Sequence, residues 1–327
     1  MNTNLIIDGN YILYKNMFSL IKDNLLYGAL YRSLEQSIDQ YRTMYPFSNV
    51  YFVSDSREKS WRKDSYPEYK ENRKKDESID WDFIYDTYEE FKINIGSKKN
   101  IKILEGSRIE GDDWISYIMD KSNKNGESTI VITNDYDIKQ LLKFTLDPLI
   151  INIMLNEVYG KEKLFIVNNY QIFLNKLSNC ISDDIFDMNN NGTFLALINN
   201  LISKYDLKEV DPVDSLVIKL ISGDSGDNIS SVYKKEGKDG KFRGIAETGA
   251  KTILEKYSEE FGEVSLSDPD LYDNIADLIC EQKKLTSEYI DIIKDNLGRN
   301  MSLINLDIKN IPDSIIKNMD SIFEKLK

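Results

Sequence analysis

The chain has 327 residues, 41% of them hydrophobic, and a formal net charge of −13, which suits one large or two ordinary globular domains. It has no histidine, which excludes Ser-His-Asp and Cys-His nucleophile systems, the usual general base and histidine-rich zinc sites. Cys180 and Cys280 are the only cysteines, so neither a disulfide framework nor a cysteine metal centre is supported, and no apolar run approaches the roughly 20 residues that span a bilayer.

The N-terminus opens directly into a strand pattern without a signal-peptide pattern, and a cytoplasmic location is expected. Residues 2–7 read as that strand. A helical pattern follows from Tyr11 to Tyr45, with Tyr27-Gly28 as the break, and 49–54 read as a second strand. Residues 56–78 are basic, have little apolar periodicity, and read as a mobile arch. Trp81, Ile84, Tyr85, Tyr88 and Phe91 place a helix over 79–95. Then come a strand at 101–104, a helix at 112–121 and a strand at 129–133, and Ile138–Phe144 begins a further helix. Residues 149–155 and 163–167, separated by Tyr159-Gly160, read as a hairpin, and from about 170 the pattern is mostly helical. The alternation predicts a doubly wound α/β domain followed by a helical region.

Acidic residues recur where these strands end. Ile7 runs into Asp8, and Val53 into Asp55. Leu104 leads to Glu110, Asp112 and Asp113, and Ile132 to Asp135 and Asp137. A fifth set, Asp224 and Asp227, lies in Gly223-Asp224-Ser225-Gly226-Asp227-Asn228. Each alone reads as a turn residue or a helix cap. Together they point elsewhere, because the carboxyl ends of parallel strands face one crevice. Carboxylates packed there repel unless a counter-charge is present, and hard divalent cations prefer oxygen ligands. An acidic metal site doing phosphoryl-transfer chemistry is expected. Asp187-Met188-Asn189-Asn190-Asn191-Gly192 copies the start of an EF-hand loop, but its twelfth position is Ile198, so it reads as a surface turn.

Two cationic zones stand out on the acidic chain. The first holds Arg57, Lys59, Arg62, Lys63, Lys70, Arg73, Lys74 and Lys75, interleaved with Trp61, Tyr66 and Tyr69. The second holds Lys234, Lys235, Lys238, Lys241, Arg243 and Lys251. Both are suited to gripping phosphates.

These motifs carry a family resemblance. Asp8, Asp55, Trp61-Arg62-Lys63, Tyr66-Pro67-Glu68-Tyr69-Lys70-Glu71-Asn72-Arg73, Glu110-Gly111-Asp112-Asp113, Asp135-Tyr136-Asp137 and Gly223–Ile229 stand in the order used by the flap endonuclease and 5′→3′ exonuclease family. The chain is similar to that family over nearly its whole length, and within it to the phage ribonucleases H.

The resemblance implies a PIN-like, mainly parallel sheet flanked by helices, with a C-terminal helical region containing a helix-hairpin-helix-like element. The catalytic domain would span 1–200, with the arch at about 56–78, and a duplex-binding region would span 201–327. It implies two Mg²⁺ ions, with Mn²⁺ as a substitute. Asp8, Asp55, Glu110, Asp112 and Asp135 would build the first site, and Asp137, Asp224 and Asp227 the second, with Asp113 behind them. Lys70 and Arg73 would bring positive charge to the scissile phosphate, with Arg62 also on the substrate. Gly244-Ile245-Ala246-Glu247-Thr248-Gly249-Ala250-Lys251-Thr252 resembles the family's hairpin, with Gly244, Gly249 and Lys251 on a duplex phosphate. Glu247-Thr248 replaces the usual small pair, and Tyr233–Phe242 is an insertion before it, which leaves K⁺ at the hairpin carbonyls open. The implied substrates are branched or 5′-ended duplex DNA and RNA–DNA hybrid, including RNA primers. The implied setting is a monomer in a bacterial host cytoplasm, with a single-strand-binding protein or a replication clamp as partner and no membrane. Two other readings stay open: a PIN-type ribonuclease on single-stranded RNA, and a non-catalytic structure-specific DNA-binding protein.

Overall fold

The computed structural model describes residues 2–158, 161–168, 170, 194–237 and 239–326. They divide into two compact units, the first made of Met1–Ser60, Asp76–Val210 and Asp307–Lys327, the second of Trp61–Lys75 and Asp211–Leu306. The units are therefore not consecutive halves meeting at 200.

The first unit is built on strands β1 (Thr3–Asp8), β2 (Asn49–Val53), β3 (Lys102–Leu104), β4 (Ser128–Ile132), β5 (Phe144–Leu146), β6 (Leu149–Val158), β7 (Lys161–Val167) and β8 (Asp206–Val210). Their order is β3-β2-β1-β4-β6-β7-β8, with β5 paired to β6 off this path. The β1–β2, β1–β4, β2–β3, β4–β6 and β7–β8 pairings are parallel, and only β6–β7 and β5–β6 are antiparallel. β1 lies at the centre and is buried at every position, which is why it reads as a continuous apolar run rather than an alternation. The register pairs Asp8 with Val53 and Ile7 with Ile132, so the chain leaves β1, β2 and β4 on the same edge.

Helices α1 (Gly9–Lys22), α2 (Leu26–Arg42), α3 (Trp81–Lys98) and α4 (Gly111–Lys124) flank this sheet, with α5 (Phe194–Lys204) before β8. In α2 the buried residues Leu26, Leu30, Leu34, Ile38 and Tyr41 recur at helical spacing, the stripe an amphipathic helix presents to a core. The chain's last helix, α10 (Asp313–Glu324), belongs to this unit. Its Phe323 stacks on Tyr51, and its Asp320 accepts a hydrogen bond from the Tyr117 hydroxyl at 2.5 Å.

The second unit contains a 3-10 turn at Trp61–Asp64 and helices α6 (Pro212–Ser222), α7 (Glu247–Phe261), α8 (Leu271–Lys283) and α9 (Glu288–Ile304). It also holds a two-stranded antiparallel ribbon, β9 (Lys234–Glu236) with β10 (Phe242–Gly244). Its core includes Leu220, Ile253, Ile275, Ile279 and Leu297, and also Tyr69 of the basic stretch.

Several expectations need correction. The break between the first two helices falls at 23–25, where Asn24 adopts φ +56°, and Gly28 lies inside α2. The residues after Asp137 form a 3-10 turn (Tyr136–Leu141) and then β5, because an antiparallel partner, β6, lies just beyond Pro148 and a helix could not run through it. β8 lies in the stretch expected to be helical. Its sequence Asp206-Leu207-Lys208-Glu209-Val210 is mostly polar because it is the last strand of the sheet, so it carries little apolar signal. The expected 6–7 hairpin forms, with its turn at Tyr159-Gly160 outside the described residues. Cys180 and the Asp187–Gly192 stretch also lie outside them.

The arch expectation changes most. Trp61, Arg62 and Tyr69 are 7%, 2% and 3% exposed. Tyr69 is a core residue of the helical unit and Tyr66 packs against that core, so this stretch is anchored rather than a free excursion.

Candidate active site

In the first unit the strand-end acids lie just beyond the sheet edge defined by Asp8, Val53 and Ile132. Each is fixed by the start of a following helix or turn. Asp8 is the N-cap of α1, accepting from the Tyr11 amide at Oδ1 (3.0 Å), while the Thr133 hydroxyl donates to its Oδ2 (2.7 Å). Asp55 accepts from the Gly111 amide, the first of α4, at 2.6 Å. Glu110 and Asp113 form a capping box on the same helix: the Glu110 amide donates to Asp113 Oδ2 at 3.1 Å, and the Ser60 hydroxyl donates to Glu110 Oε2 at 3.0 Å. Asp112 is half-buried in the first turn of α4. Asp135 caps the next turn, accepting from the Asp137 amide at 2.9 Å, and its own amide donates to the Thr133 hydroxyl at 3.0 Å. The bland reading of each acid as a cap is thus correct locally, and the caps also gather the acids along one edge.

The electrostatics distinguish Asp8. Burial pushes its carboxyl up to about 6. The donors Thr133 and Tyr11 pull it down, and the charges of Asp55 and Asp135 add to the rise. A buried carboxyl facing two more carboxylates calls for an outside counter-charge. The donor set is all oxygen, which fits a hard divalent cation. As the side chains stand, no group of three or more acids among the described residues is arranged to hold a metal ion.

In the second unit the Gly223–Asn228 turn follows α6. Gly223 has φ +70°, and a Cβ there would meet Ile229 O at 2.5 Å, so only glycine lets the chain fold back this tightly. Asp224 Oδ1 accepts from the Gly226 amide (2.7 Å) and the Asp227 amide (3.2 Å), and its Oδ2 meets Lys219 Nζ at 2.5 Å. Burial raises the Asp224 carboxyl, but Lys219 and these amides outweigh it and hold it below the usual carboxylate value. Asp227 accepts from the Tyr69 hydroxyl at Oδ2 (2.8 Å), lies 3.7 Å from Lys70 Nζ, and pairs with the Arg73 guanidinium. The backbone joins in: the Lys70 amide donates to Asp227 O at 2.9 Å, and Asn72 Nδ2 donates to Ser225 O at 2.7 Å. Lys70 itself adopts φ +55°.

Of the expected substrate contacts, Arg62 is corrected. It is 2% exposed, its Nε donates to Leu303 O at 3.0 Å and its guanidinium stacks 4.4 Å over the Trp61 ring, which makes it part of the helical core. Lys251 is exposed at the start of α7 and pairs with Glu247 at 2.8 Å. Gly244 and Gly249 flank the same helix start. Sequence reasoning missed Thr133, Ser60 and Lys219, and it placed Tyr69 in the basic stretch without its bond to Asp227. Only Lys219 carried a signal, a cation in the last turn of a helix that runs into the acidic turn.

Comparison with known proteins agrees with this architecture. The family model described as 5′-3′ exonuclease, N-terminal resolvase-like domain, matches residues 3–171. A 5′-3′ exonuclease of Buchnera aphidicola subsp. Baizongia pistaciae is 31% identical over 169 residues, covering 50% of this chain and 54% of that protein. One from Mycoplasmopsis pulmonis is 24% identical over 257 residues, covering 77% and 66%. The chain thus spans little more than half the length of the first of these relatives. Among solved structures, T5 5′-exonuclease with bound zinc aligns with TM-score 0.61 at 17% identity over 100% of both chains. The bacteriophage T5 flap endonuclease in a pseudo-enzyme-product complex with DNA and metal ions aligns with TM-score 0.62 at 17% identity, covering 99% of this chain and 98% of that one. At that identity the likeness concerns the fold.

Proposed function

The chain belongs to the 5′-3′ exonuclease family, and from that premise we propose that it is a divalent-metal-dependent 5′ nuclease hydrolysing phosphodiester bonds at 5′ ends or flaps of duplexes. The observation that carries the proposal is Asp8, buried at the edge of a parallel sheet with Asp55 and Asp135 as charged neighbours and its carboxyl pushed up to about 6. Two bound Mg²⁺ ions, or Mn²⁺ in their place, would supply Lewis acidity to water and to the leaving oxygen of an in-line displacement.

The chain's own residues would do the rest. Asp8, Asp55, Glu110, Asp112 and Asp135 would hold the first ion. Asp137, Asp224 and Asp227 would hold the second, on the strength of the family resemblance. Asp113 fixes the Glu110 backbone through the capping box, which sets where that carboxylate can point. Lys70 and Arg73, paired with Asp227 here, would offer positive charge to the scissile phosphate once that acid engages a metal. Gly244, Gly249 and Lys251 would hold a duplex phosphate at the start of α7. K⁺ would be a further ion at the hairpin carbonyls, where Glu247 stands in place of a small residue.

By the same resemblance the substrates would include RNA–DNA hybrid as well as branched and 5′-ended DNA. The role would be ribonuclease H action and removal of RNA primers during replication, by a monomer in a phage-infected bacterial cytoplasm, with a single-strand-binding protein or clamp alongside. The Gly223–Asn228 turn and the element at the start of α7 favour this reading over a PIN-type single-strand ribonuclease. Cleavage of a 5′-flap duplex with and without Mg²⁺ tests it. Metal-dependent release of the flap is expected, and an intact flap with unchanged duplex binding would point to a non-catalytic DNA-binding protein.

A further inference from the structure

The β9–β10 ribbon is an insertion between the acidic turn and α7, and its charge runs against that of the chain. Over 234–244 it carries five cations, Lys234, Lys235, Lys238, Lys241 and Arg243, against Glu236 and Asp239, a local net charge of +3 on a chain of −13. All six strand residues are exposed, so the ribbon buries no face of its own. Phe242 is 66% exposed. Register places Arg243 directly opposite Lys235, and Phe242 opposite Glu236 on the other face. Like charges facing each other across a pair are destabilising, and an isolated two-stranded ribbon is marginal in water. With Arg243 paired to Asp239, four lysines still stand against one remaining acid, Glu236, an excess of positive charge that suits an anionic ligand.

The base of the ribbon is firmly held. A Cβ on Gly244 would meet Ser231 Cβ at 2.6 Å, and the Ile245 amide donates to the Ser231 hydroxyl at 2.9 Å. Ile245 and Val232, just beyond the two strands, are 3% and 0% exposed. Lys234 donates to the Ser230 hydroxyl at 2.8 Å. Arg243 is oriented by a fork onto Asp239 at 3.0 and 2.6 Å, which uses two of its five donors. The result is a projecting cationic finger on a fixed root, carrying an exposed aromatic ring.

We propose that this ribbon docks in the major groove of B-form duplex DNA, with Lys235 and Arg243 on phosphates and Phe242 against the groove wall. The groove is roughly 12 Å wide and admits a two-stranded ribbon. An A-like helix has a deep, narrow major groove that side chains do not enter, so the ribbon favours DNA duplex over RNA–DNA hybrid. The inference rests on the nuclease reading for its substrate class and adds a contact separate from the hairpin at α7.

The test measures duplex affinity against salt, in Ca²⁺, for wild type, for Lys235→Ala combined with Arg243→Ala, and for Phe242→Ser. Each is measured on a DNA duplex and on the matching RNA–DNA hybrid. The double variant is expected to bind DNA about tenfold more weakly and to lose about two units of the log–log salt slope. Phe242→Ser is expected to weaken binding at unchanged slope. Losses on the hybrid should be smaller, and melting temperatures unchanged because the ribbon buries nothing. Wild-type DNA binding with unaltered affinity and slope in all variants overturns the ribbon's role and leaves the nuclease reading intact. Equal losses on DNA and hybrid overturn the groove assignment. Failure of the wild type to bind any duplex overturns both readings.

Discussion

Two acidic regions of this molecule solve the same problem in opposite ways. Along the sheet edge, Asp8 is satisfied by neutral donors, the Tyr11 amide and the Thr133 hydroxyl, and its carboxyl rises to about 6. In the Gly223–Asn228 turn, Asp224 and Asp227 are matched by cations, Lys219 for the first and Lys70 and Arg73 for the second, and Asp224 falls below the usual carboxylate value. The difference is between Asp8, whose carboxyl meets neutral donors and like charges, and Asp224 and Asp227, whose counter-charge comes from lysine and arginine. Buried acids without a cation are costly unless something neutralises them. Asp8 is therefore the stronger candidate to meet a metal, and the turn is a site where metal must compete with lysine and arginine.

The largest effect that can break this comparison is on chemistry. Asp135→Ala is expected to lower the single-turnover cleavage rate on the order of 10³-fold, while duplex affinity in Ca²⁺ changes little. Near-normal turnover in that variant would remove the edge from catalysis. Asp227→Asn is expected to lose less at saturating Mg²⁺, and equal losses in both variants would erase the proposed distinction.

Stability offers a readout that does not depend on turnover. A carboxyl raised from 3.8 to about 6 stabilises the fold fully below its unfolded value and loses that contribution as pH rises through the folded one. Two units correspond to about 3 kcal/mol. Metal-free protein should lose stability between about pH 4 and 6 on account of Asp8, and Asp8→Asn should melt several degrees higher than wild type in EDTA at pH 7.5. Mg²⁺ should stabilise wild type more than the variant. A variant that melts lower than wild type in EDTA would show that the Asp8 charge is already compensated within the chain.

Much of the edge was legible from sequence because it follows from two short-range rules. Apolar runs mark the central strands, and an acid placed just after a strand both caps the next helix and sits at the sheet's carboxyl end. Leu5-Ile6-Ile7-Asp8 and Ile130-Val131-Ile132 followed by Asp135 satisfy both. The basic stretch was misread for the complementary reason. Tyr69 is buried by partners far along the chain, within the unit containing 211–306, and no local periodicity encodes that. Arg62 looked like a phosphate ligand because charge is visible in a sequence, while the Leu303 carbonyl that receives it is 241 residues away. β8 was hidden because an edge strand needs few apolar residues.

The turn makes a subtler prediction about order. With Tyr69 buried, and the Lys70 amide bonded to Asp227 O, residues 66–73 should show protected amides in the free protein. Tyr69→Phe removes one hydrogen bond to Asp227, worth about 1 kcal/mol, and should speed exchange at Lys70 several-fold without unfolding the unit. Exchange across 66–73 at the rate of an unstructured peptide in wild type would mean that the cations are not held by the turn.

The smallest expected effect concerns a third acid–cation pair, this time in open solvent. Lys251 and Glu247 lie four residues apart on the first turns of α7, 2.8 Å from each other and both more than half exposed. Such pairs are worth a few tenths of a kcal/mol on a helix. To bind a duplex phosphate, Lys251 must give up this partner, and Glu247 remains beside the incoming phosphate as a like charge. Glu247→Gln should therefore tighten duplex binding by about twofold, and Lys251→Ala should weaken it while reducing the salt slope by about one unit. The exposed acid thus opposes its substrate slightly, whereas in the Gly223–Asn228 turn Lys219, Lys70 and Arg73 hold their acids against a metal. If Glu247→Gln left affinity and slope unchanged while Lys251→Ala altered both, the pair would carry no energy in solution. If neither variant altered binding, the start of α7 would not touch the duplex.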